Sequence, residues 1–532
     1  MSMQQTAAGS PSGLGTPVVH CPAGAIRGTA RHGLTIFKGI PYALPPVGPA
    51  LWTPPVAAPV WAGIRDATKF GPACVQPPRK PGSLFADTLP GESEDCLSLN
   101  IWAPESAQNA PVLVWLHGGS LTWGAGSEIL YDGEILATHG IVVVTINYRL
   151  GVFGYLAHPE LSAESPDGIS GNYGLLDQIA ALKWIKRNIA AFGGNPDNVT
   201  IAGESAGALS VMYLMASPMA RGLFAKAIAQ SAYMKSTPEL REGRFGEIPA
   251  EQAGVELAAK LGAVSLKALR NMDAAALAEA AQQAGFAAEG TIDGHVLPRQ
   301  LVDIFDLGEQ APVPVLTGFN CGEASIFPFM LPPLPDSAAA YEAEMRARNG
   351  DLADALLTLY PSDDPRTSLL SIARDAVYGW TAERLAVKQS ALGMPAFLYY
   401  FDHGYPETDV ANLHAFHGSE LPFLFGTHDK TPPRWPNANG RPPDNAISEA
   451  IAGYWTSFAK SGVPVAKDQP DWQPYGRDRA YMHFAEAPCG GNNLSPGMYR
   501  QHEEDVRRRR TAGNTAWNWN FGIAAPTRPT ET

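Results

Sequence analysis

Val199-Thr-Ile-Ala-Gly-Glu-Ser-Ala-Gly-Ala208 changes its pattern halfway. Val199 to Ala202 reads as a short buried strand, and beyond Ser205 the run Ala-Leu-Ser-Val-Met-Tyr-Leu-Met reads as a helix. Between them Gly203-Glu204-Ser205-Ala206-Gly207 is an instance of G-x-S-x-G. A serine at the tip of a sharp strand-to-helix turn has its hydroxyl forced out where a base can reach it, and flanking glycines let the backbone pack that tightly. The helix also points its first N–H groups at negative charge developing beside Ser205. The competing reading is a plain glycine-rich turn. The position between a strand and a helix favours a nucleophile.

Outward from this elbow the chain alternates. Pro111-Val-Leu-Val-Trp-Leu116 and Ile141-Val-Val-Val-Thr-Ile-Asn147 are continuous apolar strands, of the kind buried on both faces of a sheet. His117-Gly118-Gly119-Ser120 leaves the first of them, and its glycines permit a turn that aims N–H groups into a cleft. Leu175, Ile179, Leu182, Ile185 and Ile189 recur at helical spacing until Gly193-Gly194. Ala225 to Ala229, Pro314 to Phe319, Pro395 to Phe401 and Tyr481 to Phe484 read as further strands, and Asn445 to Ala459 as a helix. Strand, helix, strand, helix predicts an α/β fold with a mostly parallel sheet covered on both faces. The helical stretches near 238–296 and 325–393 read as insertions around the active-site entrance, because core strands resume after each. Residues 19–532 then form one catalytic domain behind a flexible arm over 1–18. Residues 46–95 read as an irregular surface stretch with Cys74 and Cys96 near its ends. Joining those cysteines would restrict a long loop; two unrelated buried thiols is the alternative.

Composition narrows the function. Of 532 residues, 45% are apolar and 17% charged, which supports a large core and excludes a disordered or coiled-coil chain. A net charge of −13 with no long basic tract argues against nucleic acid and anionic membranes as partners. Arg507 to Arg510 follow Glu503, Glu504 and Asp505 and read as a solvated surface feature. No run approaches eighteen uninterrupted apolar residues, so no membrane span is expected. Met1 to Pro17 lacks an apolar signal core, which predicts an intracellular protein or one whose export signal was replaced. The five cysteines, Cys21, Cys74, Cys96, Cys321 and Cys489, show no C-x-x-C spacing, so no metal site is expected, and an odd number leaves one thiol free.

Ser205 needs a base within hydrogen-bond reach, and the base needs an orienting group. Twelve histidines compete. His417, in Ala415-Phe-His-Gly-Ser-Glu420, follows the Phe397 strand, where a loop at the strand's carboxyl end can bring it over the elbow. His414 is its nearest rival. His117 adjoins the glycine turn and could instead support that turn through a backbone hydrogen bond. For the acid, Glu323 follows a core strand in Gly318-Phe-Asn-Cys-Gly-Glu323. Serine, acid, histidine is the chain order of the α/β-hydrolase arrangement.

With these residues in hand the chain resembles the type B carboxylesterase family, the α/β-hydrolases that include cholinesterases, bile-salt-activated lipases and bacterial esterases. The likeness rests on Phe37-Lys-Gly-Ile-Pro-Tyr42, Glu94-Asp-Cys-Leu-Ser-Leu-Asn100, Asn172-Tyr-Gly-Leu-Leu-Asp-Gln178, Phe192-Gly-Gly-Asn-Pro196 and the elbow, in order from about residue 18 to 458. It implies Ser205 as nucleophile, Glu323 as acid and His417 as base, which demotes His414. It implies an oxyanion hole from the N–H groups of Gly119, Ser120 and Ala206, with Glu204 and Ser231 as polar groups supporting the site. It also implies a Cys74–Cys96 disulfide, and through that bond a periplasmic or secreted location, together with a Glu94–Arg149 ion pair. Cys21, Cys321 and Cys489 sit outside the pattern.

The implied reaction is acyl transfer from a small-molecule carboxylic ester through an acyl-enzyme, with no cofactor. Two departures from the family pattern matter. Ser120 stands where a third glycine or an alanine is usual, and the loop between Cys74 and Cys96 lacks the tryptophan of choline-binding members. The competing functions are an esterase for polycarboxylate (tricarballylate-type) toxin esters, an amidase or lactonase with the same triad, and a non-catalytic binding protein on the same scaffold.

Overall fold

The computed structural model describes residues 16–327, 330–438 and 440–517, so the arm expected over 1–18 lies outside the described residues up to position 15. The strands are β1 (Val18–Cys21), β2 (Gly24–Arg27), β3 (Thr29–Arg31), β4 (Leu34–Pro41), β5 (Ile64–Asp66), β6 (Ser98–Pro104) and β7 (Ala110–Leu116). They continue with β8 (Val142–Ile146), β9 (Gly194–Glu204), β10 (Lys226–Gln230), β11 (Val315–Asn320), β12 (Ala396–Phe401), β13 (Ala480–Phe484) and β14 (Pro488–Asn492). Among the described residues, eleven of them form one sheet in the order β14-β13-β12-β11-β10-β9-β7-β8-β6-β4-β3, while β1, β2 and β5 form a small second sheet. The pairs from β8 through β7, β9, β10, β11 and β12 to β13 are parallel. The flanks, β14 on β13 and β8-β6-β4-β3, are antiparallel.

Strand side chains alternate between the two faces, and here both faces are covered. Val112, Val114 and Leu116 of β7 enter one core, and Leu113 and Trp115 enter the other. The same split separates Ala227 and Ala229 from Ile228, and Leu398 from Phe397 and Tyr399. That is why these strands read as unbroken apolar runs. The helices Tyr173–Asn188 and Ala206–Ala216 cover the first face, and Pro442–Ser461 covers the second through Ile447, Ile451, Trp455 and Phe458. The alanine-rich stretches are helical as expected: Ala250–Lys260, Leu266–Arg270 and Ala274–Gln283, then Ala338–Asn349 through Trp380–Ala391. Among the described residues no helix is long and apolar enough to cross a membrane.

Three expectations are corrected. Cys74 and Cys96 lie side by side, hydrogen-bonded as thiols, and all five cysteines are free. Buried as small hydrophobes, with the Leu150 N–H donating to Cys74 Sγ at 3.3 Å, they fill core space without a covalent bond. Arg149 is paired with Asp177 rather than Glu94. Its Nε and Nη2 donate to the two carboxylate oxygens at 2.8 and 2.7 Å, a planar fork that occupies the carboxylate completely. Finally, Arg507 to Arg510 belong to a helix, Met498–Ala512, that packs on the domain. Arg508 and Arg509 are buried, and Arg508, Arg509 and Arg510 donate to Asp351, Asp505 and Asp306 at 2.6, 2.9 and 2.9 Å.

Candidate active site

Loops at the carboxyl ends of adjacent parallel strands meet over one edge of the sheet, and this is where such folds gather their chemistry. Ser205 follows β9 and is the residue before the helix Ala206–Ala216. Its backbone stands at φ 56°, ψ −121°, a region that costs a non-glycine residue about 1–3 kcal/mol. Two hydrogen bonds hold it there: Ser205 N–H donates to Gln230 O at 3.0 Å, and Ser205 O accepts from Leu209 N–H at 2.9 Å. The elbow glycines are required by space. A Cβ at Gly207 would lie 2.0 Å from Leu116 O, and one at Gly203 would lie 2.5 Å from the Gly207 carbonyl carbon. The helix thus seats directly on the ends of β7 and β9.

The turn after β7 lies against the nucleophile. A Cβ at Gly118 would be 3.0 Å from Glu204 O and 3.4 Å from Ser205 Cβ. Gly119 O accepts from Thr122 and Trp123 N–H at 3.0 and 2.9 Å, so the turn is tied through its carbonyl. Among the described residues no backbone partner takes the N–H of Gly119 or Ser120, and Ala206 opens its helix where an N–H has no intrahelical acceptor. His117 serves this turn: its Nδ1 faces Gly118 O at 2.9 Å, its ring stacks on Tyr148 at 4.4 Å, and burial pulls its pKa down to about 4. The neutral imidazole is a buttress.

Glu323 and His417 arrive on the loops after β11 and β12. Both are buried, and His417 Nδ1–H donates to Glu323 Oε2. Glu323 Oε1 accepts from Ser231 Oγ–H at 2.6 Å and from Asn320 N–H at 2.8 Å, which fixes the carboxylate. The far nitrogen of the ring, Nε2, is 3.1 Å from Glu204 Oε1, so the imidazole reaches the residue adjoining Ser205. Phe327 and Tyr378 flank the ring with centroids at 5.0 and 5.1 Å. Behind it, Glu420 accepts from Gln230 Nε2 at 2.9 Å and Asn320 Nδ2 at 2.6 Å, pinning the loop that carries His417 to β10 and β11.

The electrostatics follow from three buried carboxyls, Glu204, Glu323 and Glu420, acting on one imidazole. Burial pushes Glu204 up to about 8; His417 opposes this, and Glu420, Glu323 and Glu128 add to it. Burial by itself lowers His417, but the Glu204, Glu323 and Glu420 carboxylates overcome it and push the ring up to about 9. Glu204 and His417 therefore titrate as a coupled pair, each raised above its ordinary range.

The structure thus joins His417 to Glu323 and Glu204, and Glu323 to Ser231. Ser205 and Ala206 are next along the chain from Glu204, and the turn that carries Gly119 and Ser120 lies against Ser205 at Gly118. His414 is turned away: it bridges Asp402 and Asp409 at 3.1 Å each and is about half-exposed, and these carboxylates raise it to about 9. Sequence reasoning missed Phe327, Tyr378, Asn320 and Glu420. Tyr378 had a structural cue only, since it sits in a π-helical turn, Asp375–Gly379, of the kind that often marks function.

Residues 15–505 match the family model described as the carboxylesterase family. The chain is 36% identical over 495 residues to the fumonisin B1 esterase of Sphingopyxis macrogoltabida, covering 90% of this chain and 88% of that one. It is 37% identical over 475 residues to the para-nitrobenzyl esterase of Bacillus subtilis (strain 168), covering 86% and 92%. A solved PNB esterase structure superposes with a TM-score of 0.79 at 34% identity, over 92% of this chain and 99% of that chain. The chain therefore belongs to the carboxylesterase family and is a serine hydrolase of carboxylic esters.

Proposed function

We propose that Ser205 Oγ attacks the ester carbonyl while His417 Nε2 takes its proton, with Glu323 holding the ring through Nδ1–H and balancing the imidazolium. The tetrahedral oxyanion is received by the N–H groups of Gly119, Ser120 and Ala206, each such donor contributing about 3 kcal/mol at the transition state. His417 then protonates the departing alcohol, and in the second half it draws a proton from water as that water attacks the acyl-Ser205 ester and returns it to Ser205 Oγ as the acid leaves. The observation that carries this reading is the reach of His417, held by Glu323 on one nitrogen, to the carboxyl adjoining Ser205 on the other.

The charged side chains gathered on His417 are carboxyls, Glu204, Glu323 and Glu420. An uncharged acyl group fits them better than a polyacid, which would bring further negative charge into a buried site. We therefore take esters of uncharged acids as the substrates, ahead of polycarboxylate toxin esters.

Ser205→Ala should lower kcat/KM by roughly 10⁴-fold or more, and an organophosphate should add one phosphoryl mass to the wild type and none to the variant. Near-wild-type turnover in Ser205→Ala would overturn the assignment. A p-nitrophenyl ester of an uncharged acid should outrun both its p-nitroanilide and a tricarballylate monoester by about tenfold or more, since each tenfold step needs only about 1.4 kcal/mol. A faster tricarballylate ester would replace the neutral-acyl reading, and a faster anilide would make the chain an amidase.

A further inference from the structure

One cavity has none of Ser205, Glu323 and His417 in its lining. It is a surface groove of about 520 Å³ along the helix Tyr173–Asn188, closed by Pro54 and Pro55 on one side and by Met219 and Leu223 at the end. Ligand sites of small molecules span roughly 300–1,000 Å³ and combine apolar walls with a few placed polar groups. This groove has that make-up. Its floor is Leu176, Ile179 and Ala180, and its polar groups are three cations on the next turns of the same helix, Lys183, Lys186 and Arg187. Lys186 is engaged with Asp197 at 2.5 Å. Lys183 and Arg187, four residues apart on one face, are exposed and pair with no acid among the described residues.

Two cations without an acid partner among the described residues thus stand beside an apolar trough. The charge is also polarised along the trough. At Leu176 and Met219 it shares its lining with a neighbouring cavity that holds the exposed Asp167, together with Asp293 and with Glu164, which is paired with Arg270. An anionic head is repelled from that end and drawn to Lys183 and Arg187, while an apolar body covers Leu176, Ala180 and Met219. We propose that the groove is a second, non-catalytic site for an amphiphilic monocarboxylate, an alkyl or aryl acid of the chemical class that ester hydrolysis releases. The site is independent of the roles assigned to Ser205, Glu323 and His417. Its floor helix does touch the nucleophile's helix, with Gln178 Nε2 donating to Ser210 Oγ at 3.0 Å.

The test is calorimetric titration of the full chain with octanoate and, separately, with 1-octanol in low salt, because exposed charges are screened at high ionic strength. The variant is Lys183→Glu/Arg187→Glu, whose positions are exposed and outside the catalytic machinery. Wild type should bind octanoate at an equivalent that the variant loses or binds about tenfold more weakly, while both turn over a neutral ester alike and melt alike. Octanol, with the same chain and no charge, should bind about tenfold more weakly than octanoate. Equal octanoate binding by wild type and variant, no octanoate binding at all, or octanol binding as well as octanoate would each overturn the assignment.

Discussion

A carboxyl 3.1 Å from the base's working nitrogen changes the pH at which that base is free. His417 accepts the Ser205 proton only as neutral imidazole, and its carboxylate neighbours push its pKa up to about 9. The rising limb of kcat/KM in the free enzyme therefore belongs on the alkaline side of neutrality. Glu204→Gln removes one of the charges that raise it, leaving burial to pull the ring down. The limb should move to lower pH by roughly 1–3 pH units, read from kcat/KM for an uncharged ester across pH 5–10. An unmoved limb would mean that some other group titrates there. Glu323 has a different part. Its two oxygens already hold Ser231, Asn320 and the ring, so Glu323→Gln presents an amide where carboxylate acceptors are needed and favours the wrong imidazole tautomer. The expected loss is about 10⁴-fold in kcat with little change in the melting temperature.

One scale up, the elbow works because a helix sits on the ends of two strands with no room for a methyl group. Gly207→Ala would drive a Cβ to 2.0 Å from Leu116 O, and the carbonyl there belongs to backbone that cannot swing aside. We expect a loss of stability of about 1–3 kcal/mol from overpacking, and a fall in kcat because the His117–Gly118 turn moves relative to Ser205. Gly490→Ala is the control, since an added Cβ there meets nothing within 4 Å and should leave both unchanged. These tight elements were also the legible ones. Strand β8, buried at every position, reads as strand because both of its faces need apolar side chains. Strand β6 is buried at all but its last position and carries Asn100, whose Nδ2 donates to Thr145 Oγ1 at 2.9 Å and whose Oδ1 accepts from Gly39 N–H at 2.9 Å. A buried amide that ties three strands has no signature in hydrophobic periodicity. The helix Met498–Ala512 was invisible for the opposite reason: its buried face is mostly polar, with Gln501, His502, Asp505, Arg508 and Arg509 beside Met498 and Val506, so no apolar stripe announces it. In the site, Ser205, Glu323 and His417 sit in readable local contexts at strand ends. The approach of Glu204 to His417 depends on how two distant loops close, which no local pattern encodes.

At the scale of the whole molecule, the same limit decides where Arg149 finds its charge. The segment that carries it leaves β8, and Asp177 lies on the helix Tyr173–Asn188, so this pair joins the carboxyl edge of the sheet to the helical layer that abuts the nucleophile's helix. Both side chains are fully buried, the Arg149 N–H also donates to Asp177 Oδ2 at 3.0 Å, and Arg149 Nη1 has no partner among the described residues. A buried pair of this kind is a poor source of net stability while intact, because both charges have left water. Breaking it is another matter. Asp177→Asn leaves a guanidinium without its counter-charge in the core, and such losses run to about 3–5 kcal/mol. Glu94, on the irregular stretch before β6, is half-buried and outside this pair, so Glu94→Gln should stay within about 0.5 kcal/mol of wild type. Thermal melts of the two variants separate the cases: Asp177→Asn should lower the melting temperature by several degrees or fail to accumulate as folded protein, and Glu94→Gln should melt with the wild type. Equal destabilisation by both would put Glu94 back as a partner of Arg149, and a wild-type melt for Asp177→Asn would show that the guanidinium finds another acceptor when its carboxylate is gone.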